Sequence, residues 1–311
     1  MARSMDTPLK NAQETIKKYS KGSCREPLVK AFFDNETFTV SYVIKDPASR
    51  KALIIDSVLD FDVASGHFST LSANRIIDYV SEHNLDILWH LETHVHADHI
   101  SAAPFLNSKL GGKIGIGENI TKVQNLFGDV FNEKENFARN GSQFDQLFSD
   151  GDKFSLGELD CVVLHVPGHT PADLAFIIGN VAFVGDTLFM PDYGTARADF
   201  PGGNARALFR SIRRILKLPK QTKLFMCHDY KAPGRETFCW ESTVEEQRIS
   251  NIHVHDGVNE AEFVKMREAR DNSLGMPTLI IPSVQVNMRA GNMPKPEDNG
   301  ISYLKIPVGV L

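Results

Sequence analysis

The chain has 311 residues and a formal net charge of -5, with 42% hydrophobic and 23% charged residues. That length suits one large α/β domain, and the slight acidity gives no electrostatic reason to expect nucleic acid or an anionic membrane as partner. The four cysteines, Cys24, Cys161, Cys227 and Cys239, form no C-x-x-C pair and read as reduced thiols, no apolar run approaches a membrane span, and the N-terminus lacks the apolar core of an export signal. A cytoplasmic protein is expected.

In chain order, residues 1–27 read as a leader followed by a short helix, and 28–311 as one catalytic domain with a C-terminal extension packed on it. Residues 37–44 and 52–56 read as strands around a turn at Asp46–Pro47–Ala48–Ser49. Residues 71–82 read as a helix and 86–92 as a buried strand. A further helix is expected from His99 to Leu110, with Asp98 suited to cap its start and Gly111–Gly112 to end it. From about Ser149 short strands follow: KFSL, LDCVVLHV, LAFIIG and VAFVGD, with turns that suit antiparallel hairpins. Helices are expected at 205–216, 242–251 and 259–272, with a strand at 223–227. Two sheets between layers of helices accommodate that order.

The strongest chemical signal is Thr93-His94-Val95-His96-Ala97-Asp98-His99. His94 and His96 leave the same side of an extended strand end and can converge on one ion. Asp98 and His99 follow, placed to face a second ion or to orient the first ligands. Three more ligand-type residues stand at the ends of apolar strands: His169 in PGHT, Asp186 in GDT and His228 in CHD. A single buried histidine is ordinarily a satisfied structural residue, which is the reading for His67, His83, His90, His165, His253 and His255. Asp56 reads as a residue that ties neighbouring loops together by hydrogen bonds. An H-x-H-x-D-H run with three further strand-end ligands is hard to explain as packing, because so many buried polar groups would need partners.

On these residues the chain, over about 28 to 230, resembles the metallo-β-lactamase superfamily, whose fold is an αββα sandwich of two mixed sheets flanked by helices. The resemblance implies that His94, His96 and His169 match the ligands of a first metal. It assigns Asp98, His99, Asp186 and His228 to a second, with Asp186 able to bridge. The stretches 185–203, 228–236 (HDYKAPGRE), 242–248 (STVEEQR) and 288–308 are in turn similar to bacterial persulfide dioxygenases. Ser57 departs from that pattern, standing where a proline is commonly seen. This second resemblance implies one Fe(II) per chain on His94, His169 and Asp186, with His96, Asp98, His99 and His228 around it. It also implies oxidation of glutathione persulfide, or a similar small persulfide, by O2 and water to sulfite and glutathione in sulfide oxidation, by a homodimer or larger homo-oligomer. Two imidazoles and one carboxylate leave open positions on iron for sulfur and dioxygen. Tyr193, Arg197, Lys231, Arg235 and Arg289 are candidates to bind the substrate's carboxylates, Arg197 and Lys231 first because they follow Asp186 and His228 closely.

The alternative is a glyoxalase II-like thioesterase that hydrolyses S-lactoylglutathione with two Zn, Fe or Mn ions. A secreted β-lactamase is disfavoured by the missing export signal, and a processing nuclease by the missing basic stretch. A structural zinc protein is disfavoured because the cluster contains no matching cysteines.

Overall fold

The computed structural model describes residues 6–20, 25–135 and 137–310, so Cys24 and the start of the expected leader lie outside the described residues. The chain opens with helix α1 (Thr7–Tyr19) and strands β1 (Leu28–Phe33), β2 (Val40–Lys45) and β3 (Lys51–Ile55). A hairpin, β4 (Val58–Asp62) and β5 (His67–Ser69), leads to α2 (Leu71–Glu82), β6 (Asp86–Leu91) and the two-residue β7 (Ile100–Ser101). Then come α3 (Ala103–Leu110), β8 (Lys113–Gly117), α4 (Ile120–Val130) and β9 (Gln146–Phe148). The second half holds β10 (Lys153–Leu156), β11 (Leu159–His165), β12 (Leu174–Ile178), β13 (Val181–Phe183) and α5 (Ala205–Ile215). It finishes with β14 (Lys223–Phe225), β15 (Glu241–Thr243), α6 (Val244–Ser250), α7 (Glu260–Asp271) and α8 (Ile280–Asn287).

One sheet has the order β1-β2-β3-β6-β8-β9 and the other β10-β11-β12-β13-β14-β15. Side chains alternate between two faces along strands that are buried on both, which builds four layers. Val40, Tyr42, Ile44, Leu53 and Ile55 meet Cys161, Val163, Phe176 and Phe183 between the sheets. The alternate residues Val162, Leu164, Ile177 and Leu224 pack outward against Leu9, Ala12 and Ile16 of α1, Leu208 and Ile212 of α5, and Phe263 of α7. On the opposite outer face Val43, Ala52 and Ile54 meet α2 and α3 through Ala73, Ile76, Val80 and Leu106. This is the expected αββα sandwich. Its antiparallel second sheet has one parallel pair, β13 with β14, which brings two ligand-bearing strand ends side by side.

The first helix is a fixed part of the body. Asp6 caps it by accepting from the Leu9 N–H at 3.1 Å, and Arg214 holds Asp6 and Asp150 together. Cys161, Cys227 and Cys239 are free thiols. Among the described residues no helix is long and apolar enough to cross a membrane.

Two expectations near the site need correction. The strand expected at 37–44 begins at Val40. The helix expected from His99 begins at Ala103, because Ile100–Ser101 pairs with β4 as a strand. Asp98 therefore caps nothing and points its carboxylate at His228 and His99. Helices α4 and α8 were not expected; α8 is almost wholly buried and carries Pro282, so it shows no amphipathic period.

Candidate metal centre

Asp56 fixes the first ligand loop. It directly follows strand β3, with φ at +50°, and is buried. Its carboxylate accepts from the Thr93 N–H at 2.8 Å, the Thr93 hydroxyl at 2.9 Å and His96 Nε2 at 3.1 Å. Burial pushes this carboxyl up, but His96 and the Thr93 hydrogen bonds outweigh it and hold it below the usual range. An ionised Asp56 only accepts, so the Thr93 hydroxyl donates to it. Thr93 Oγ1 is then left to accept from His94 Nδ1, 3.0 Å away. His94 is thereby wired to present the lone pair of Nε2.

The far side of the same loop is held by the C-terminal segment. Asn287 of α8 donates to the main-chain oxygens of His96 at 2.9 Å and His99 at 2.8 Å, and its Oδ1 accepts from the Ser101 N–H. Glu92 accepts from the Ser101 hydroxyl through Oε1, and its Oε2 lies 3.2 Å from His96 Nε2. Burial pushes His96 down, but Asp56 and Glu92 together raise it well above the ordinary histidine value.

His169 stands in the β11–β12 loop, which turns at Gly168. There φ is +148°, and a Cβ would fall 2.2 Å from the main-chain nitrogen of Leu208 in α5. Asp173 braces the loop by accepting from the Thr170 N–H and hydroxyl at 2.7 and 2.5 Å, and burial pushes its carboxyl up to about 7. His169 Nδ1 donates to the main-chain oxygen of Arg197 at 2.8 Å, which again leaves Nε2 with its lone pair free. Asp186 sits in a single 3-10 turn, Gly185–Thr187, after β13, and His228 follows β14.

These separate segments converge. His94 Nε2 and His169 Nε2 lie 3.7 and 3.5 Å from Asp186 Oδ2, with the two rings nearly perpendicular. His96, Asp98, His99 and His228 form an adjoining group whose nearest ligand atoms all lie within 4.8 Å of one another. Asp186 reaches both groups, since its Oδ1 is 3.5 Å from His228 Nε2. Burial lifts Asp186 to about 7 and pushes His94 well down, the neighbouring imidazoles adding to the second effect. Burial raises Asp98 as well, but His228 and His99 pull it far below the carboxylate range. His94 Nε2, His99 Nε2 and Asp186 Oδ1 are buried without a hydrogen-bond partner. Orphaned acceptors of this kind are costly; a cation held by His94, His169 and Asp186 would satisfy His94 Nε2, so the donor set fits a transition metal, while His99 Nε2 lies in the adjoining group. Cys227 adjoins both groups, and burial, with the neighbouring Asp56, Asp186 and Asp98, pushes its thiol well up.

A cavity of about 810 Å³ opens over the first group and reaches Asp98, His169 and Asp186. Of the residues expected at the substrate, Tyr193 and Arg197 line it, whereas Lys231, Arg235 and Arg289 do not. Their charges are taken up elsewhere. Lys231 lies over the Phe238 ring, Arg235 grips Asp229 and Asp192, and Arg289 pairs with Glu133 beside a separate cavity. Arg197 itself clasps Asp199, so its main role in the wall is to carry the carbonyl that orients His169. Sequence reasoning missed Glu92, Asn287, Asp271 and Tyr230. Tyr230 stacks on His228 at 5.5 Å between centroids; its place directly after Cys227-His228-Asp229 was a usable signal, whereas Asn287 and Asp271 had none.

The model of the metallo-beta-lactamase superfamily matches residues 34–228. The chain is 52% identical over 293 residues to a probable metallo-hydrolase of Burkholderia pseudomallei, covering 91% of this chain and 99% of that protein. It is 45% identical to a Dictyostelium discoideum protein named glyoxylase B2, covering 91% of this chain and 97% of that one. It is 30% identical to the mitochondrial persulfide dioxygenase ETHE1 of Bos taurus, over 87% of this chain and 91% of that protein. Among solved structures, ETHE1 from Myxococcus xanthus superposes with a TM-score of 0.68 at 30% identity, over 85% of this chain and all of that one. This chain belongs to the metallo-beta-lactamase superfamily. Within it, the His and Asp cluster marks a metal-binding member related at a distance to the persulfide dioxygenases and at higher identity to proteins named for hydrolysis.

Proposed function

We propose that this chain is a persulfide dioxygenase holding one Fe(II) on His94, His169 and Asp186. It would convert glutathione persulfide, O2 and water to sulfite, glutathione and two protons. The observation that carries this reading is the triangle of two imidazole nitrogens and one carboxylate oxygen, closed on the protein side and open to the cavity. Ferrous iron bound there supplies electrons to dioxygen and open positions for oxygen and sulfur.

The chain's own residues orient and protect. Thr93 and the Arg197 carbonyl fix which nitrogen His94 and His169 present. Phe189, Phe200, Tyr193 and Tyr230 wall the cavity and keep bulk water from the reacting sulfur. The His228–Asp98 pair, 3.1 Å apart beside Asp186, stands ready to take the proton that the persulfide loses on binding. His96, hydrogen-bonded at Nε2 to Asp56 with Glu92 Oε2 3.2 Å away, supports the loop without ligating iron in this reading. The proposal includes a cytoplasmic, homo-oligomeric enzyme of sulfide oxidation.

A second reading, a glyoxalase II-like thioesterase, is favoured by the adjoining group of Asp98, His99 and His228 on the other oxygen of Asp186, and by the relative named glyoxylase B2. Anaerobic purification with metal counting separates the two: one iron per chain against two ions. Oxygen uptake with glutathione persulfide, without hydrolysis of S-lactoylglutathione, is the expected result, and the reverse pattern refutes the dioxygenase.

A further inference from the structure

Three guanidinium groups line the cavity, those of Arg197, Arg267 and Arg270. Two are spent. Arg197 gives its Nε and one terminal nitrogen to Asp199 and another to the Gly275 carbonyl. Arg267 is buried against Asp271 and the Thr195 carbonyl. Arg270, exposed on the last turn of α7, faces the Tyr193 ring at 5.9 Å and meets no carboxylate among the described residues.

On the acidic side of the cavity three carboxylates have hydrogen-bond donors but keep their charge. Asp34 accepts from Thr37, Asp60 from Ser72 and Asp62 from Ser65. Glu36, exposed in the turn between β1 and β2, has no partner among the described residues. An aromatic row joins the two free charges. Tyr193 lies 5.3 Å from Tyr230, and Tyr230 lies 5.7 Å from Phe38, two residues beyond Glu36. Tyr230 in turn covers His228. Among the described residues, the cavity thus presents one guanidinium without a carboxylate partner and, beside the hydrogen-bonded Asp34, Asp60 and Asp62, one carboxylate without any partner, on either side of an aromatic floor laid over the metal centre.

We propose that Arg270 and Glu36 are the two anchors for a zwitterionic peptide thiol, Arg270 taking a carboxylate and Glu36 the α-ammonium, with the sulfur directed toward His94, His169 and Asp186. Neither anchor was among the residues expected from the sequence. A polyphosphate-bearing thiol would bring like charge against Asp34, Glu36, Asp60 and Asp62 and is disfavoured. The reaction at the sulfur rests on the dioxygenase reading; the two anchors do not.

The test is calorimetric binding of glutathione itself, which needs no turnover, to the wild type, Arg270→Ala and Glu36→Ala. Both variants change exposed side chains and should melt as the wild type does. Each is expected to weaken glutathione roughly 10-fold or more, the scale of one charge-assisted hydrogen bond. Glutathione esterified on both carboxylates should bind the wild type and Arg270→Ala equally, and N-acetylglutathione should bind the wild type and Glu36→Ala equally. Arg270→Lys should fall between the wild type and Arg270→Ala. In turnover, both alanine variants should raise KM with kcat held. Equal affinity of the wild type and Arg270→Ala for glutathione overturns the proposal, as does no binding by the wild type. Weakened binding in both variants, with no oxygen uptake by any of the proteins, upholds the anchors and removes the dioxygenase. Oxygen uptake with unchanged KM in both variants removes the anchors and keeps the dioxygenase.

Discussion

His169 gives its Nδ1 hydrogen to the main-chain oxygen of Arg197 at 2.8 Å, and that carbonyl is itself held from behind by α7. Asp271 accepts from the Ala198 N–H at 2.9 Å and from the buried Arg267, which also bonds the Thr195 carbonyl. The orientation of a candidate ligand is therefore set by residues about a hundred positions away in the chain.

Asp271→Ala is expected to remove that support and strand a buried guanidinium. The cost should be about 3–5 kcal/mol of stability. Metal affinity should fall about 10- to 100-fold, as when the partner of a ligating histidine is lost. Chemical denaturation and metal retention on dialysis measure the two effects. A variant with wild-type stability and metal content would show that α7 does not position the site.

Substitution of single ligands should sort the two halves of the cluster. His94→Ala and Asp186→Asn are expected to abolish iron binding, whereas His228→Ala and His99→Ala should keep one iron per chain with lowered turnover. Metal analysis of anaerobically purified protein reads this directly. If the wild type holds two ions and His228→Ala holds one, the mononuclear assignment is wrong.

Acid lability should trace in part to His253. Burial lowers its pKa to about 4, and its Nδ1 accepts from the Thr195 N–H at 3.1 Å, as only a neutral ring can. The unfolded chain, with an ordinary histidine near 6.5, binds the proton more readily. Stability should then rise as pH goes from about 4 to 6.5 and level off above, by up to about 3 kcal/mol from this group. Urea unfolding across that range should show the slope, and His253→Gln should flatten it. An unchanged slope in the variant would assign the effect to other groups.

Gly168→Ala offers a steric test. The added methyl would meet the main chain of Leu208 at 2.2 Å, so α5 or the His169 loop must move. A loss of about 2 kcal/mol or more is expected, together with weakened metal binding. Gly234, with φ at +90° and nothing within 4 Å of its Cβ position, is the control; Gly234→Ala should leave the metal in place. Equal behaviour of the two variants in a metal-retention assay would mean that the tight approach at Gly168 is not what holds the ligand.

Much of the fold was legible where the determinants are local. The helix at 71–82 and the strand at 52–56 follow from apolar period alone, and the structure places them at Leu71–Glu82 and Lys51–Ile55. The convergence of the His and Asp cluster was legible because His94 to His99 lie in one run and the remaining ligand-type residues each end an apolar strand. Asp56 also does what its position implied, tying two loops by hydrogen bonds. What stayed hidden depends on remote partners. Arg235 and Arg289 read as free cations until Asp229 and Glu133 are folded against them. Of the two readings of Asp98, cap and ligand-type residue, the cap failed because the pairing of Ile100–Ser101 with β4 is not written in its neighbours. The bracing of the site by Asn287 and Asp271 leaves no periodic trace at all.

The grip of Asn287 on the carbonyls of His96 and His99 also bears on how the protein is made. Translation delivers the histidine loop long before it delivers the amide that clamps it. Both sheets end by Thr243, ahead of α8, so a loop that needs the clamp to hold an ion is expected to take it up late. A chain cut short ahead of α8 is expected to purify folded in outline and poor in metal.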